Sequence, residues 1–250
     1  MKSSLKFSVA AAVALTSVVP NLALAGNRYD IDVASSGATY SGDNGTFSGV
    51  VSGDFDNGEL RENSGNTIII DSSNGVHNSY KYNFYGGFIS FNVAGSQQDT
   101  DVENNKVEID NRMLIIGSLV GGMTQTRSSN SNIVTVNRGY VEDVIGGQII
   151  RAGSTSKASN NEVHINSSAA VSGDVYGAYM GGAGTASGNK VFISGGNING
   201  NVYATRTAGN STDNTVTITG GRIKGELGAN EVTANSLMRN TLNIDRKSVV

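Results

Sequence analysis

The chain has 250 residues, a formal net charge of -3, 33 Gly, one Pro and no Cys or Trp. The lack of Cys excludes a disulfide scaffold, a Cys-ligated metal site and a cysteine nucleophile. With 30 Ser and 29 Asn, the residues Gly, Ser and Asn exceed a third of the chain, which disfavours a helical bundle; the single Pro excludes collagen. The weak acidity gives no electrostatic basis for nucleic-acid binding.

The first segment reads as an export signal. Lys2 and Lys6 precede an apolar stretch from Phe7 to Val19, and Pro20 breaks it. Leu22-Ala23-Leu24-Ala25 then offers small residues at Ala23 and Ala25. This predicts a signal peptide over residues 1–25, cut between Ala25 and Gly26. The apolar stretch is shorter than the ~20 residues that span a bilayer.

Residues 26–65 do not share the pattern that follows. Short pieces such as Thr39-Tyr40-Ser41-Gly42 and Thr46-Phe47-Ser48-Gly49 predict an irregular N-terminal cap or first rungs. A cap is expected because an open solenoid end exposes unpaired strand edges. Asp43, Asp54, Asp56 and Glu59 read as an exposed acidic loop rather than a cation site. Farther on, Tyr80, Tyr82, Phe84, Tyr85, Phe88 and Phe91 read as a cluster closing the end of a core rather than a binding patch.

From residue 66 to 250 the chain repeats, ending inside a repeat. Asn is followed by alternating apolar residues at Asn66, Asn105, Asn132, Asn161, Asn189, Asn214 and Asn240, as in Asn161-Glu162-Val163-His164-Ile165. The spacings are 39, 27, 29, 28, 25 and 26, which is a solenoid period. The alternation at Asn+2 and Asn+4 predicts a half-buried strand. A second block follows about a dozen residues later: Phe84-Tyr85-Gly86-Gly87, Leu119-Val120-Gly121-Gly122, Val144-Ile145-Gly146-Gly147, Val175-Tyr176-Gly177-Ala178 and Val202-Tyr203-Ala204-Thr205, with Leu227-Gly228-Ala229 as a degenerate copy. Gly173, Gly200 and Gly225 precede the last three, and are expected to supply a turn at positive φ. Two strands per repeat are expected, with each apolar position stacked into a column. The repeated Asn is expected to be structural: it caps a turn, adopts a left-handed backbone or stacks into an amide ladder.

The N-x-V-x-I and V-x-G-x-V-Y-G blocks, followed by a Ser/Thr/Gly/Asn-rich stretch, resemble the passenger repeats of bacterial autotransporter adhesins. Those are right-handed parallel β-helices. The resemblance implies an all-β, right-handed parallel β-helix of about seven rungs after the signal peptide, exported to the cell surface or the medium of a Gram-negative-type bacterium. It implies adhesion or structural display, with a host or bacterial cell-surface receptor or glycan as partner. An outer-membrane β-barrel is expected only in a longer parent chain.

Catalytic chemistry has little support. The two histidines, His77 and His164, are scattered, and His164 is expected to face solvent. No phosphate-binding glycine loop opens a helix, and no cofactor or metal is expected. Many parallel β-helices cleave acidic polysaccharides, so a secreted lyase or hydrolase is one alternative, and a truncated inactive remnant is another. Stacked in register, Asp143 and Asp174 would stand one rung apart as paired acids, but no basic partner recurs beside them. The segment Asn240–Val250 is expected to be the least stable.

Overall fold

A computed structural model describes residues 28–34, 37–42, 45–49, 65, 67–70, 84–88, 101–231 and 236–245. The chain winds as a parallel β-solenoid of about five turns, with no helix among the described residues. Each turn lays one strand on each of three sheets. The long sheet carries the Asn repeats as seven parallel strands: Thr67–Ile70, Lys106–Ile116, Ile133–Val141, Glu162–Val171, Lys190–Ile198, Thr215–Ile223 and Thr241–Ile244. Each of these strands follows one of the seven Asn repeats expected from the sequence, while the solenoid turns number about five. The second sheet stacks Phe84–Phe88, Leu119–Thr124, Val144–Ile149, Val175–Met180, Val202–Arg206 and Leu227–Gly228.

The third sheet corrects the expectation of two strands per repeat. It stacks Val102–Glu103, Ser129–Asn130, Lys157–Ser159, Thr185–Ser187, Asn210–Thr212 and Ser236–Met238. These strands are two or three residues long and bury Ser129, Ala158, Ala186 and Ser211. Side chains this small give no hydrophobic alternation, so the strand is invisible to a periodicity test.

Register follows from the apolar columns. Val107, Val134, Val163, Val191 and Val216 are paired one above another, as are Ile109, Val136, Ile165, Ile193 and Ile218. All are buried. A slip of one residue would turn both columns to solvent, so the sequence permits a single register. On the second sheet Leu119, Val144, Val175 and Val202 join the same core. The next residues, Val120, Ile145, Tyr176 and Tyr203, face the opposite way and form a separate buried cluster.

Within residues 26–65 the described backbone is a three-stranded meander. Arg28–Ala34 runs parallel to Thr67–Ile70 and antiparallel to Gly37–Gly42, which pairs antiparallel with Gly45–Gly49. This meander lies at the N-terminal edge of the long sheet.

Candidate functional site

The repeated Asn residues form a continuous amide ladder inside the solenoid. Asn105, Asn132, Asn161, Asn189 and Asn214 are fully buried. Each donates from Nδ2 to the Oδ1 of the Asn one turn on, at 2.9, 3.0, 2.9, 2.9 and 3.0 Å, ending at Asn240. The same Oδ1 also accepts the backbone N–H of the preceding Asn, at 2.9 to 3.1 Å. The second Nδ2 hydrogen goes to a third-sheet carbonyl of the turn before: Asn161 to Ser129, Asn189 to Ala158 and Asn214 to Ala186. A buried amide left unpaired costs about 1–3 kcal/mol per group, so only an unbroken column is cheap. Asn66 lies outside the described residues.

The left-handed residue is not the repeated Asn but the one before it. Gly65, Asn104, Ser131, Asn160, Gly188, Asp213 and Arg239 all have φ between 52° and 76°. This residue makes the sharp corner from the third sheet to the long sheet, and the Asn then enters the core. Asn, Asp and Gly are favoured there because they adopt positive φ at least cost.

A second polar column runs along the corner between the long and second sheets. Asp143 Oδ1 accepts the N–H of Asp174 at 2.8 Å, and Asp174 Oδ1 accepts the N–H of Asn201 at 2.7 Å. Asn201 Oδ1 accepts the N–H of Glu226 at 2.8 Å. The structure therefore does place Asp143 and Asp174 in successive turns. One oxygen of each, however, is occupied by the main chain of the next turn, and Asp143 Oδ2 lies 3.4 Å from Ser118 Oγ. The glycines of this corner are corrected too. Gly173, Gly200 and Gly225 are not at positive φ. A Cβ on Gly173 would overlap Asp143 Oδ1 first, whereas a Cβ on Gly200 or Gly225 would first meet the main-chain carbonyl of Gly173 or Gly200 and then Asp174 Oδ1 or Asn201 Oδ1. They are glycines because successive turns approach closely at this corner, main chain to main chain as well as main chain to clamp oxygen.

The outward face of the second sheet carries a tyrosine and carboxylate network. The Tyr176 and Tyr203 rings stack with centroids 6.1 Å apart. The single Tyr176 hydroxyl proton is shared between Glu231 Oε2 at 2.9 Å and Asp174 Oδ2 at 3.2 Å, and Tyr203 donates to Glu226 Oε2 at 2.7 Å. Arg206 donates from one nitrogen to both Glu231 oxygens at 3.1 and 3.2 Å, and lies 4.9 Å over the Tyr179 ring. Burial, reinforced by the Glu231 carboxylate, holds the Tyr176 phenol far above its ordinary pKa. Burial and Glu226 push Tyr203 up to about 12. Both phenols are thus fixed as donors and cannot serve as bases near neutral pH. The sequence flags Tyr176 and Tyr203 as repeat positions, but not Arg206, which stands in register with Tyr179 just past the repeated block, nor Glu231, which follows the degenerate copy.

His164 stacks on Phe192 with centroids 5.0 Å apart, and its Nε2 lies 3.4 Å from Glu162. It is half-buried rather than freely solvated. Lys190 pairs with the other Glu162 oxygen at 3.0 Å. Burial raises the Glu162 pKa, but Lys190 and His164 outweigh it and leave the carboxyl below its ordinary value. Ala25, Gly26, His77, Asp43, Asp54, Asp56, Glu59, Tyr80, Tyr82 and Phe91 lie outside the described residues. Among the described residues no group of three His, Cys, Asp or Glu side chains could hold a metal ion. No helix there is long and apolar enough to cross a membrane.

Comparison with protein-family models, with curated proteins and with solved structures returned no match.

Proposed function

We propose that this chain is an exported β-solenoid that serves adhesion or structural display at the cell surface or in the medium, without catalysis. The observation that carries the reading is the use of its recurring polar groups. The Asn ladder and the Asp143–Asp174–Asn201 clamp are both engaged in holding one turn to the next. What varies from turn to turn is the outer surface, as with Glu162, His164, Lys190 and Phe192 on the long sheet. A rigid scaffold with non-repeating outward side chains is the physical form of a contact surface. The signal-like residues 1–25 and the resemblance to autotransporter passenger repeats support export and display.

Expression of the full chain in a Gram-negative host tests this. The expected result is a mature N-terminus at Gly26, loss of the chain from the cytoplasm, and binding of the purified protein to cells or glycans without turnover. Retention of Met1 in the cytoplasm would overturn export. Turnover of an acidic polysaccharide, abolished by Asp174→Asn, would replace the display reading with an enzyme. That variant keeps the Oδ1 acceptor, so its loss of activity would not be a folding defect.

A further inference from the structure

We propose that Asn199–Gly200 is a site of spontaneous deamidation and isoaspartate formation in the folded solenoid, with water as the sole co-reactant. The chain has four Asn–Gly pairs, beginning at Asn44, Asn57, Asn74 and Asn199, and in the last alone are both residues described. Asn199 is exposed, outside any strand, at the corner between the long and second sheets, and Gly200 makes the bend. Glycine has no Cβ to obstruct its own nitrogen, and it tolerates the backbone rotation that ring closure needs.

The hydrogen bonds single this corner out. Ser172–Gly173, Asn199–Gly200 and Lys224–Gly225 occupy equivalent positions in successive turns. The N–H of Gly173 donates to Glu142 O at 2.6 Å, and that of Gly225 to Gly200 O at 3.2 Å. The N–H of Gly200 has no partner among the described residues, nor does the Asn199 side-chain amide. Both reacting groups are therefore free. At Asn130–Ser131 and Asn166–Ser167 the side-chain amide is instead held: Asn130 donates to Glu103 at 2.7 Å, and Asn166 donates to Asn137 at 2.6 Å.

The chemistry balances without a cofactor. The Gly200 nitrogen attacks Asn199 Cγ and loses its proton. The new N–Cγ bond closes a succinimide, the Cγ–Nδ2 bond breaks, and the amide leaves as ammonia. Water then adds to one of the two ring carbonyls. Cleavage of the N–Cγ bond gives aspartate. Cleavage at the former main-chain carbonyl gives isoaspartate, which adds one methylene to the backbone. Either product places a carboxylate one turn from Lys224, at the same corner position. The longer backbone falls just before Asn201, whose N–H makes the clamp to Asp174 Oδ1 at 2.7 Å.

The test is peptide-resolved mass spectrometry of the purified full chain aged in mildly alkaline buffer, folded and in urea. The main chain on either side is held, by Asn199 N–H to Val171 O at 2.9 Å and Asn201 N–H to Asp174 Oδ1 at 2.7 Å, but the two reacting groups are not, so Asn199 is expected to convert in the folded chain at a rate within about tenfold of the unfolded chain. Asn130 and Asn166 should convert only in urea. Asn199→Ser, which copies the corner of the preceding turn, should fold normally and lose the acidic product in that peptide. Conversion at Asn199 in urea but not in the folded chain would overturn the proposal, because the corner would then be protecting the pair.

Discussion

At the residue scale, two polar side chains of similar size do different work. Asn161 both donates and accepts in the core ladder, whereas Asp174 accepts the next turn's amide at the corner and takes the Tyr176 hydroxyl. Their isosteric exchanges should therefore diverge. Asn161→Asp removes two donated bonds and buries a charge among acceptor oxygens, so a loss of about 3–5 kcal/mol is expected. Asp174→Asn keeps the accepting Oδ1 and should change stability by less than about 0.5 kcal/mol. Thr205 is a different case. Its Oγ1 is buried with no partner among the described residues, in the column where earlier turns carry Gly122, Gly147 and Ala178. Thr205→Val should stabilise the fold by about 1 kcal/mol in urea titration.

The tyrosines give a pH dependence of known sign. Their folded pKa values lie above the ordinary value near 10, so the phenol interactions contribute fully below that pH. As pH rises through about 12, the Tyr203 contribution is lost, because phenolate formation puts a second negative charge beside Glu226. The difference in unfolding free energy between the native chain and Tyr203→Phe should shrink between pH 10 and about 12. A difference that stays constant across that range would contradict the raised Tyr203 pKa, which burial and Glu226 together produce.

At the scale of elements, each corner is a pair of residues in neighbouring turns. Gly173 exists because Asp143 reaches into its space. Gly173→Ala should destabilise the solenoid by about 1–3 kcal/mol. Combined with Asp143→Ala, it should cost less than the sum of the two single changes. Additivity in that double-mutant cycle would mean the glycine serves some other need. The same corner shows what sequence can and cannot convey. The long-sheet strands were legible from Asn161-Glu162-Val163-His164-Ile165 and its copies, because bulky β-branched residues alternate there. The Asn column was legible as structural because it recurs at every rung. The third-sheet strands were not, since Ser129, Ala158 and Ala186 fill the narrow core there without a hydrophobic signal. The left-handed residue was missed because it varies from Asn104 to Ser131 to Arg239. Gly173 was assigned a backbone role because its neighbour, Asp143, is 30 residues away in sequence and adjacent only once the turns stack.

At the scale of the whole molecule, the solenoid is nearly one-dimensional, so stability is set by each turn and its neighbours. Burial is complete in the middle turns and fades at the strand Thr241–Ile244, where Leu242 and Ile244 are 40% and 41% exposed. Hydrogen exchange should follow that gradient, with Val163 and Val191 amides slowest and Leu242 among the fastest. Uniform protection along the long sheet would contradict it. Beside the two apolar columns, the Asn ladder runs as a side-chain hydrogen-bond column through the described turns from Asn105 to Asn240 and ties each to the next. Its contribution is tested most directly by the thermal midpoint of Asn161→Asp measured beside Asp174→Asn. A fall of about 10 °C or more is expected for the first and no significant change for the second. An unchanged midpoint for Asn161→Asp would contradict it, for the column would then be lodged in the core without holding the turns together.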